Sequence, residues 1–377
     1  MSFLQSYEDP KMMQKLGLLN WGLIFLICMI AGVGFLALYS AGGGHIRPYA
    51  DKHLMRFGFG MTGLLITALV SIRFWRAIAW PLYALGIILL IYVDVRGHIG
   101  MGAQRWIDLG FLKLQPSEIM KPALVLVLAA YFEKKDVTTI SYLRYVLPAI
   151  ALILLPVGIV VAQPDLGTGM SLVLVGASVL LLAGVSWWYF IIGALAAGGL
   201  LPVAWHFLHE YQRNRVRIFL NPDLDPLGTG YHITQSKIAM GSGGLFGKGF
   251  LEGTQAKLNF LPEKQTDFIF TLWTEEWGMV GGLTLLGLFM LTFFYGLFIS
   301  ISCRQPFARL MAMGLTMNIA IYVFINAAMV MGILPVVGIP MPLVSHGGTA
   351  MLSVLFCYGL ILSASVHRDV KMRQTYL

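Results

Sequence analysis

Residues 20–42 read NWGLIFLICMIAGVGFLALYSAG. No charged side chain interrupts the run, and apolar and polar residues do not alternate along it. At 1.5 Å per residue, about 20 such residues cross the roughly 30 Å of hydrocarbon in a bilayer. The run therefore reads as a membrane-spanning helix, in which every backbone hydrogen bond is met inside the segment. A polar stretch, 1–19, precedes it, and the run carries no small-residue cleavage site. It reads as a retained first span rather than a removed signal peptide.

Outward from this segment the same kind of run recurs at 55–72, 76–93, 117–132, 142–162, 169–184, 187–207, 270–300, 309–333 and 348–366. The expected fold class is an all-α integral membrane protein of about ten transmembrane helices. A large extracytoplasmic loop is expected between spans 7 and 8. In chain order this gives an N-terminal segment 1–19, spans 1–7 within 20–207, the loop 208–266, spans 8–10 within 267–366 and a tail 367–377. Composition agrees: 58% of the chain is hydrophobic and 12% charged, against roughly 25% charged in soluble domains. A loop as long as 208–266 is unusual without structure of its own, so short helices lying on the membrane surface are expected in it.

Ten spans put both ends on one side. That side would hold Lys11, Lys15, Arg73, Arg76, Lys134, Lys135, Arg144, Arg304, Arg309, Arg368, Lys371 and Arg373. The short segments opposite hold Arg47, Lys52, Arg56, Arg96, Arg105 and Lys113. The bias predicts cytoplasmic termini. The loop 208–266 adds seven basic residues outside, but long loops cross largely regardless of charge. The net charge of +8 is read as membrane anchoring, and no basic stretch is long enough for a nucleic-acid patch. Cys28, Cys303 and Cys357 are far apart in sequence and show neither metal spacing nor a disulfide framework.

Five segments carry candidate chemistry. In 115–122, QPSEIMKP, Pro116 and Ser117 mark a helix start with Ser117 as N-cap, and Glu118 and Lys121 share a helix face. The two charges read either as a buried structural pair or as a pair lining a polar cavity, and both can hold. In 163–168, QPDLGT, Asp165 reads as a helix cap, with substrate contact the alternative. The glycine-rich 241–249, GSGGLFGKG, looks like a phosphate loop, but its spacing fails and Gly249 stands where Ser or Thr is needed. Tight turns and close packing are the expectation there, and Asp223 and Asp225 read as turn or cap residues. In 263–270, EKQTDFIF, Asp267 lies between a polar loop and Phe268, Ile269 and Phe270. It reads either as a cap or as a partly desolvated base, its pKa raised by burial. The last segment, 338–349, GIPMPLVSHGGT, breaks the chain at membrane depth beside Ser345 and His346, where irregular backbone must be buried or line a cavity.

Together, the stretches 102–122, 163–168, 211–253, 261–278 and 332–349, in this order, resemble the SEDS family (shape, elongation, division and sporulation proteins). The resemblance is closest to the cell-elongation branch. It implies a ten-span fold and a multi-pass protein of the bacterial cytoplasmic (inner) membrane with both termini cytoplasmic. It implies a peptidoglycan glycosyltransferase that polymerises lipid II on the outer face. The family's essential aspartate falls on Asp267, within Thr266-Asp267-Phe268, and its Glu/Lys pair on Glu118 and Lys121. Arg105 and Asp165 match further polar positions facing the family's cavity. Ser345-His346 departs from the Ser-Tyr of many division-type members. The resemblance also implies a class B penicillin-binding protein as transpeptidase partner, within the elongation machinery.

On this reading Asp267 accepts the proton of the attacking sugar hydroxyl. The departing polyprenyl pyrophosphate needs positive charge, for which Arg213, Arg215, Arg217, Lys237 and Lys248 are the loop's supply. No cofactor is required by the sequence; a divalent cation, magnesium or manganese, could assist, and no metal ligands are assigned. The rival classes are a lipid II flippase, the division paralogue with the same chemistry, and a non-catalytic scaffold. Polar residues gathering at one face, rather than at the midplane, favour the enzyme over the transporter.

Overall fold

The computed structural model describes residues 12–369 except 101–102, 109, 111–112, 137, 208–209, 222–224, 226–227, 259 and 261–262. Lys11, Lys371, Arg373 and Asp223 lie outside the described residues. After a short α1 (Met12–Leu18), a helix stands at each of the ten expected runs: α2 (Trp21–Ala41), α3 (Ala50–Leu69), α4 (Ile72–Arg96), α5 (Pro116–Phe132), α6 (Leu143–Ala162), α7 (Leu166–Ala183), α8 (Trp188–Phe207), α12 (Ile269–Ser302), α13 (Pro306–Val330) and α14 (Gly348–Val366). Among the described residues seven of these (α2, α4, α6, α7, α12, α13 and α14) are long and apolar enough to cross a membrane. Of the rest, α5 has 17 residues, and the first two turns of α3 carry Asp51, Lys52 and Arg56. The chain is a multi-pass helical membrane protein.

The bundle is built around α5, whose residues Ala123–Ala129 are all fully buried. It packs against α4, α7 and α13, while α14 packs on α3 and α12 on α13. Large apolar side chains such as Leu85, Ile88, Leu154 and Leu155 remain exposed on α4 and α6, as expected of surfaces solvated by lipid. The Asn20 carboxamide caps α2 by accepting from Leu23 N at 3.2 Å. Asp165 caps α7, accepting from Thr168 N at 3.2 Å and Thr168 Oγ1 at 2.9 Å. Ser117, expected as an N-cap, is not one. Gln115 holds that position and Pro116 is the first helical residue, where its missing N–H costs nothing.

The polar segments fold at one end of the bundle. Three short segments within 98–114, for which strands were not expected, form a small antiparallel sheet among the described residues, in the order β1 (His98–Gly100), β2 (Ala103–Asp108), β3 (Lys113–Leu114). Ile107 pairs with Leu114 and Asp108 with Lys113. The segment 208–266 contains α9 (Glu210–Leu220), α10 (Thr229–Ser242) and α11 (Thr254–Lys257). Ser236 pins α10 to two spans, its hydroxyl 2.7 Å from Thr271 Oγ1 and donating to Val330 O at 2.8 Å.

The glycine-rich loop after α10 has a packing function. Within α12, Gly278 (φ 66°, ψ −164°) breaks the helix, in a region open essentially to glycine alone. The loop takes over the backbone bonds lost there. Lys248 N donates to Glu275 O and Gly249 N to Glu276 O, at 3.1 and 3.0 Å, while Met279 N and Val280 N donate to Gly244 O and Leu245 O, at 2.9 and 3.1 Å. Contact is so close that a Cβ on Gly247 would lie 2.0 Å from Glu276 O. These glycines permit turns and close packing, as their spacing suggested.

Candidate active site

Asp267 sits in a turn just ahead of α12, which opens with Glu263 at φ 51°. That turn is laced to the broken segment before α14. Ser345 Oγ donates to Thr266 O at 2.6 Å and accepts from Met341 N at 2.8 Å, and His346 N donates to Gln265 O at 2.8 Å. Asn326 of α13 ties the two together, its Nδ2 donating to Asp267 O at 3.0 Å and Ile339 O at 2.8 Å. The turn is thus fixed through its backbone, which leaves the side chain uncommitted. Among the described residues the Asp267 carboxylate accepts no hydrogen bond. Phe268, not Asp267, is the N-cap residue of α12, without a side-chain cap bond, so the capping alternative is not realised. Gly338 faces the carboxylate; a Cβ there would stand 3.6 Å from Oδ2.

Burial pushes the Asp267 pKa up to about 6; the Glu263 charge adds to the rise and the Arg215 charge opposes it. The group is ionised at neutral pH yet far more basic than an ordinary aspartate, which suits proton acceptance. The ring of His232 on α10 lies 6.4 Å from that of Phe268, and burial lowers its pKa.

Glu118 and Lys121 form a completed buried cluster. Lys121 Nζ donates to Glu118 Oε1 at 2.7 Å and to the Tyr322 hydroxyl, which in turn donates to Glu118 Oε2. The ammonium also lies 4.1 Å from the Tyr322 ring centroid, and Ser353 Oγ donates to Glu118 O at 2.8 Å. Glu118 is 4% exposed and Lys121 1%. In so enclosed a site each charge survives because the other two groups neutralise and hydrogen-bond it.

Other anticipated residues divide between this region and other tasks. Arg105 Nε lies 3.6 Å from Asp165 Oδ2, and Arg105 Nη2 donates to Pro164 O, so these two form one unit. Lys248 is engaged at the α12 break, bonded to Glu275 at 2.8 Å and Thr254 at 2.7 Å. Arg213 donates to His206 O at 2.7 Å. Lys237 is exposed on α10 with its stem against Gly332. Arg215 is the α9 cation whose charge bears on Asp267. His346 lies 3.3 Å from Arg56 Nη1, and its ring meets Tyr49 edge-on; burial and the charges of Arg56 and Lys52 lower its pKa to about 4. Asp225 lies in the turn before α10, where its carbonyl accepts from Tyr231 N at 3.3 Å. Sequence reasoning missed Tyr322 and Asn326, and it gave Gly338 and Arg56 no individual role at the site. A polar pair at i, i+4 in an otherwise apolar span was the available signal for the first two. Among the described residues no three His, Cys, Asp or Glu side chains gather as a metal-holding group, so no ligands are assigned to a cation.

A polytopic helical bundle with a largely buried carboxylate of raised pKa, Asp267, at its polar end defines a multi-pass membrane protein with a candidate proton acceptor. A family profile described as cell cycle protein (FtsW, RodA, SpoVE) matches residues 16–370, and the chain belongs to this family. It is 45% identical over 336 residues to the peptidoglycan glycosyltransferase MrdB of Escherichia coli K12, covering 89% of this chain and 90% of that one. It is 32% identical to stage V sporulation protein E of Bacillus subtilis 168, covering 91% and 96%. Among solved structures, a chain of a peptidoglycan synthase complex that coordinates polymerization and crosslinking superposes with a TM-score of 0.81 at 31% identity, covering 93% of this chain and 98% of that one. Thermus thermophilus rod shape determining protein RodA gives 0.71 at 29% identity, with the same coverage.

Proposed function

We infer that this chain is a peptidoglycan glycosyltransferase that polymerises lipid II on the outer face of the bacterial cytoplasmic membrane, with both termini in the cytoplasm. The observation that carries the mechanism is the Asp267 carboxylate, held by a backbone-fixed turn, raised in pKa to about 6 and not committed to a cap. Asp267 accepts the proton of the acceptor 4-hydroxyl on a lipid II N-acetylglucosamine. That oxygen forms a bond to the anomeric carbon of the lipid-linked N-acetylmuramate as the bond to polyprenyl pyrophosphate breaks. Configuration inverts, and the proton stays on Asp267 until released to water.

A placed carboxylate supplies roughly 10²–10⁴-fold through proton transfer. Tethering both substrates by lipid tails supplies orientation. Of the cations anticipated for the leaving group, Arg215 is favoured by its effect on Asp267, and Lys248 is disfavoured because Glu275 already uses it. The resemblance to the MrdB protein, at 45% against 34% for the FtsW protein of Trichlorobacter lovleyi, supports a role in elongation. The likeness to the synthase-complex chain supports a class B penicillin-binding partner. The test is polymerisation of purified lipid II by wild type and Asp267→Asn, each with that partner. Wild type should yield glycan and Asp267→Asn none, at equal expression and partner binding; wild-type rates from the variant would remove Asp267 from the mechanism.

A further inference from the structure

The loop after α10 presents apolar side chains that the packing at Gly278 does not use. Phe246 is 81% exposed and Leu245 57%, and the run 238–247 around them carries no charged side chain. The bonds that join the loop to α12 fix its height in the bundle. Gly244 O and Leu245 O accept from Met279 N and Val280 N, so Leu245 and Phe246 stand level with the first turn of α12 beyond the break. From Met279 to Ser302 that helix runs about 36 Å at 1.5 Å per residue, against roughly 30 Å of bilayer hydrocarbon. The turn at Met279 therefore lies at the edge of the hydrocarbon rather than far out in water.

Two further observations give the same depth. A chain of rings, Tyr39, Phe250, Trp277 and Trp273, runs from α2 across the loop to α12, with successive centroids 6.2, 6.1 and 5.2 Å apart. Tyrosine and tryptophan collect where hydrocarbon meets the headgroups, and Tyr39 stands in the last turn of α2, a span of 21 residues. The exposed apolar surface also continues from loop to span, because Met279, Val280 and Leu283 of α12 are themselves exposed on a face that lipid solvates.

We propose that Leu245 and Phe246 are seated in the leaflet at the polar end of the bundle, the outer leaflet in the topology given above, so that this turn is a membrane-inserted anchor and not part of an aqueous loop. Irregular backbone is tolerated at such depth where protein meets its polar groups, and α12 does so for the carbonyls of Gly244 and Leu245 and the amides of Lys248 and Gly249. Lys248, the first charge after the patch, turns back to Glu275 at 2.8 Å and leaves the apolar tip uncharged. Seated there, the loop holds the break in α12 at a fixed height relative to the bilayer surface.

The test is a depth measurement on the full-length chain in phosphatidylcholine nanodiscs. Nitroxide labels are attached through Phe246→Cys and, separately, Leu245→Cys, in a Cys28→Ser background that removes the exposed native cysteine and keeps the buried Cys303 and Cys357. Both labelled positions are exposed, so the fold is retained. Collisional access to oxygen, which partitions into hydrocarbon, is compared with access to a water-soluble nickel chelate. Met290→Cys, on the exposed face midway along α12, and Lys257→Cys, at an exposed charged site of the loop, give the lipid and water limits. Labels at 245 and 246 should favour oxygen over the chelate several-fold, as at 290, and adding the transpeptidase partner should leave both unchanged. Access at 246 equal to that at 257 would overturn the proposal, because the turn would then stand in water. Shielding of both positions from both agents, with or without the partner, would overturn it as well, because protein rather than lipid would cover the face.

Discussion

Tyr322 and Asn326 stand one turn apart on α13 and tie together the two halves of the candidate site. The Tyr322 hydroxyl joins Glu118 to Lys121, and the Asn326 carboxamide holds the carbonyls of Asp267 and Ile339. Four residues of helix rise about 6 Å, so the buried charge cluster and the Asp267 turn share one rigid support.

Asn326→Ala removes both bonds and leaves two buried carbonyls short of a donor. Each such loss costs about 1–3 kcal/mol. Thermal unfolding should show a modest loss of stability, while lipid II polymerisation falls at least tenfold because the Asp267 turn is no longer fixed. A normal rate in a destabilised variant would show that the turn is held by other means.

The raised pKa of Asp267 fixes two opposed pH dependences. In the proposed mechanism Asp267 accepts a proton and must be ionised, so the rate should climb as pH rises through about 6. Stability runs the other way: burial favours the protonated form in the folded state. That contribution is complete below the ordinary value of 3.8 and is lost as pH rises through about 6. Asp267→Asn, neutral throughout, should melt a few degrees above wild type at pH 8 and level with it near pH 4. His346 is neutral down to about pH 4, so His346→Gln should leave the rate profile between pH 5 and 8 unmoved. A shift of the midpoint in that variant would make the histidine a titrating participant.

Glu118→Ala strands the Lys121 ammonium in a site where it is 1% exposed, and Lys121→Ala strands the carboxylate. Each should cost about 3–5 kcal/mol and sharply reduce folded yield. The double change Glu118→Leu with Lys121→Met should restore most of the stability, because both charges leave together. If the restored protein also polymerises lipid II normally, the pair is purely structural; a stable but inactive one assigns it to the site.

Gly278→Ala places a Cβ 2.3 Å from Gly247 N in backbone that other residues hardly adopt. Little folded protein should be recovered, as read by size-exclusion profile and melting. A well-folded Gly278→Ala protein would mean that the helix can close without the loop.

The spans were legible because lipid selects composition directly: a run such as 20–42 has no other stable home. The beginning of α3 was not, since Ala50–Leu54 is polar in its first turn and continues the helix only because Ala50 and His53 are buried against the bundle. Asp267 stood out as a lone carboxylate beside three apolar residues, and Glu118 with Lys121 through their spacing. Tyr322 was hidden because its partners are 201 and 204 residues away. Lys248 looked available for a pyrophosphate because nothing in its neighbourhood reveals Glu275, 27 residues on. Local pattern reports local preference; these pairings arise only once distant segments meet.

The break at Gly278 also bears on how the chain is made. Residues 244–249 complete the hydrogen-bond ladder of a helix that begins at Ile269, so translation delivers the splint before the rod it mends. Four main-chain groups of α12 stay unmet until that splint is seated. Closure of the loop is therefore needed to complete the backbone bonding of this segment once it is inserted. A nick or an insertion between Gly243 and Gly249 would be felt first as failed assembly, ahead of any loss of catalysis.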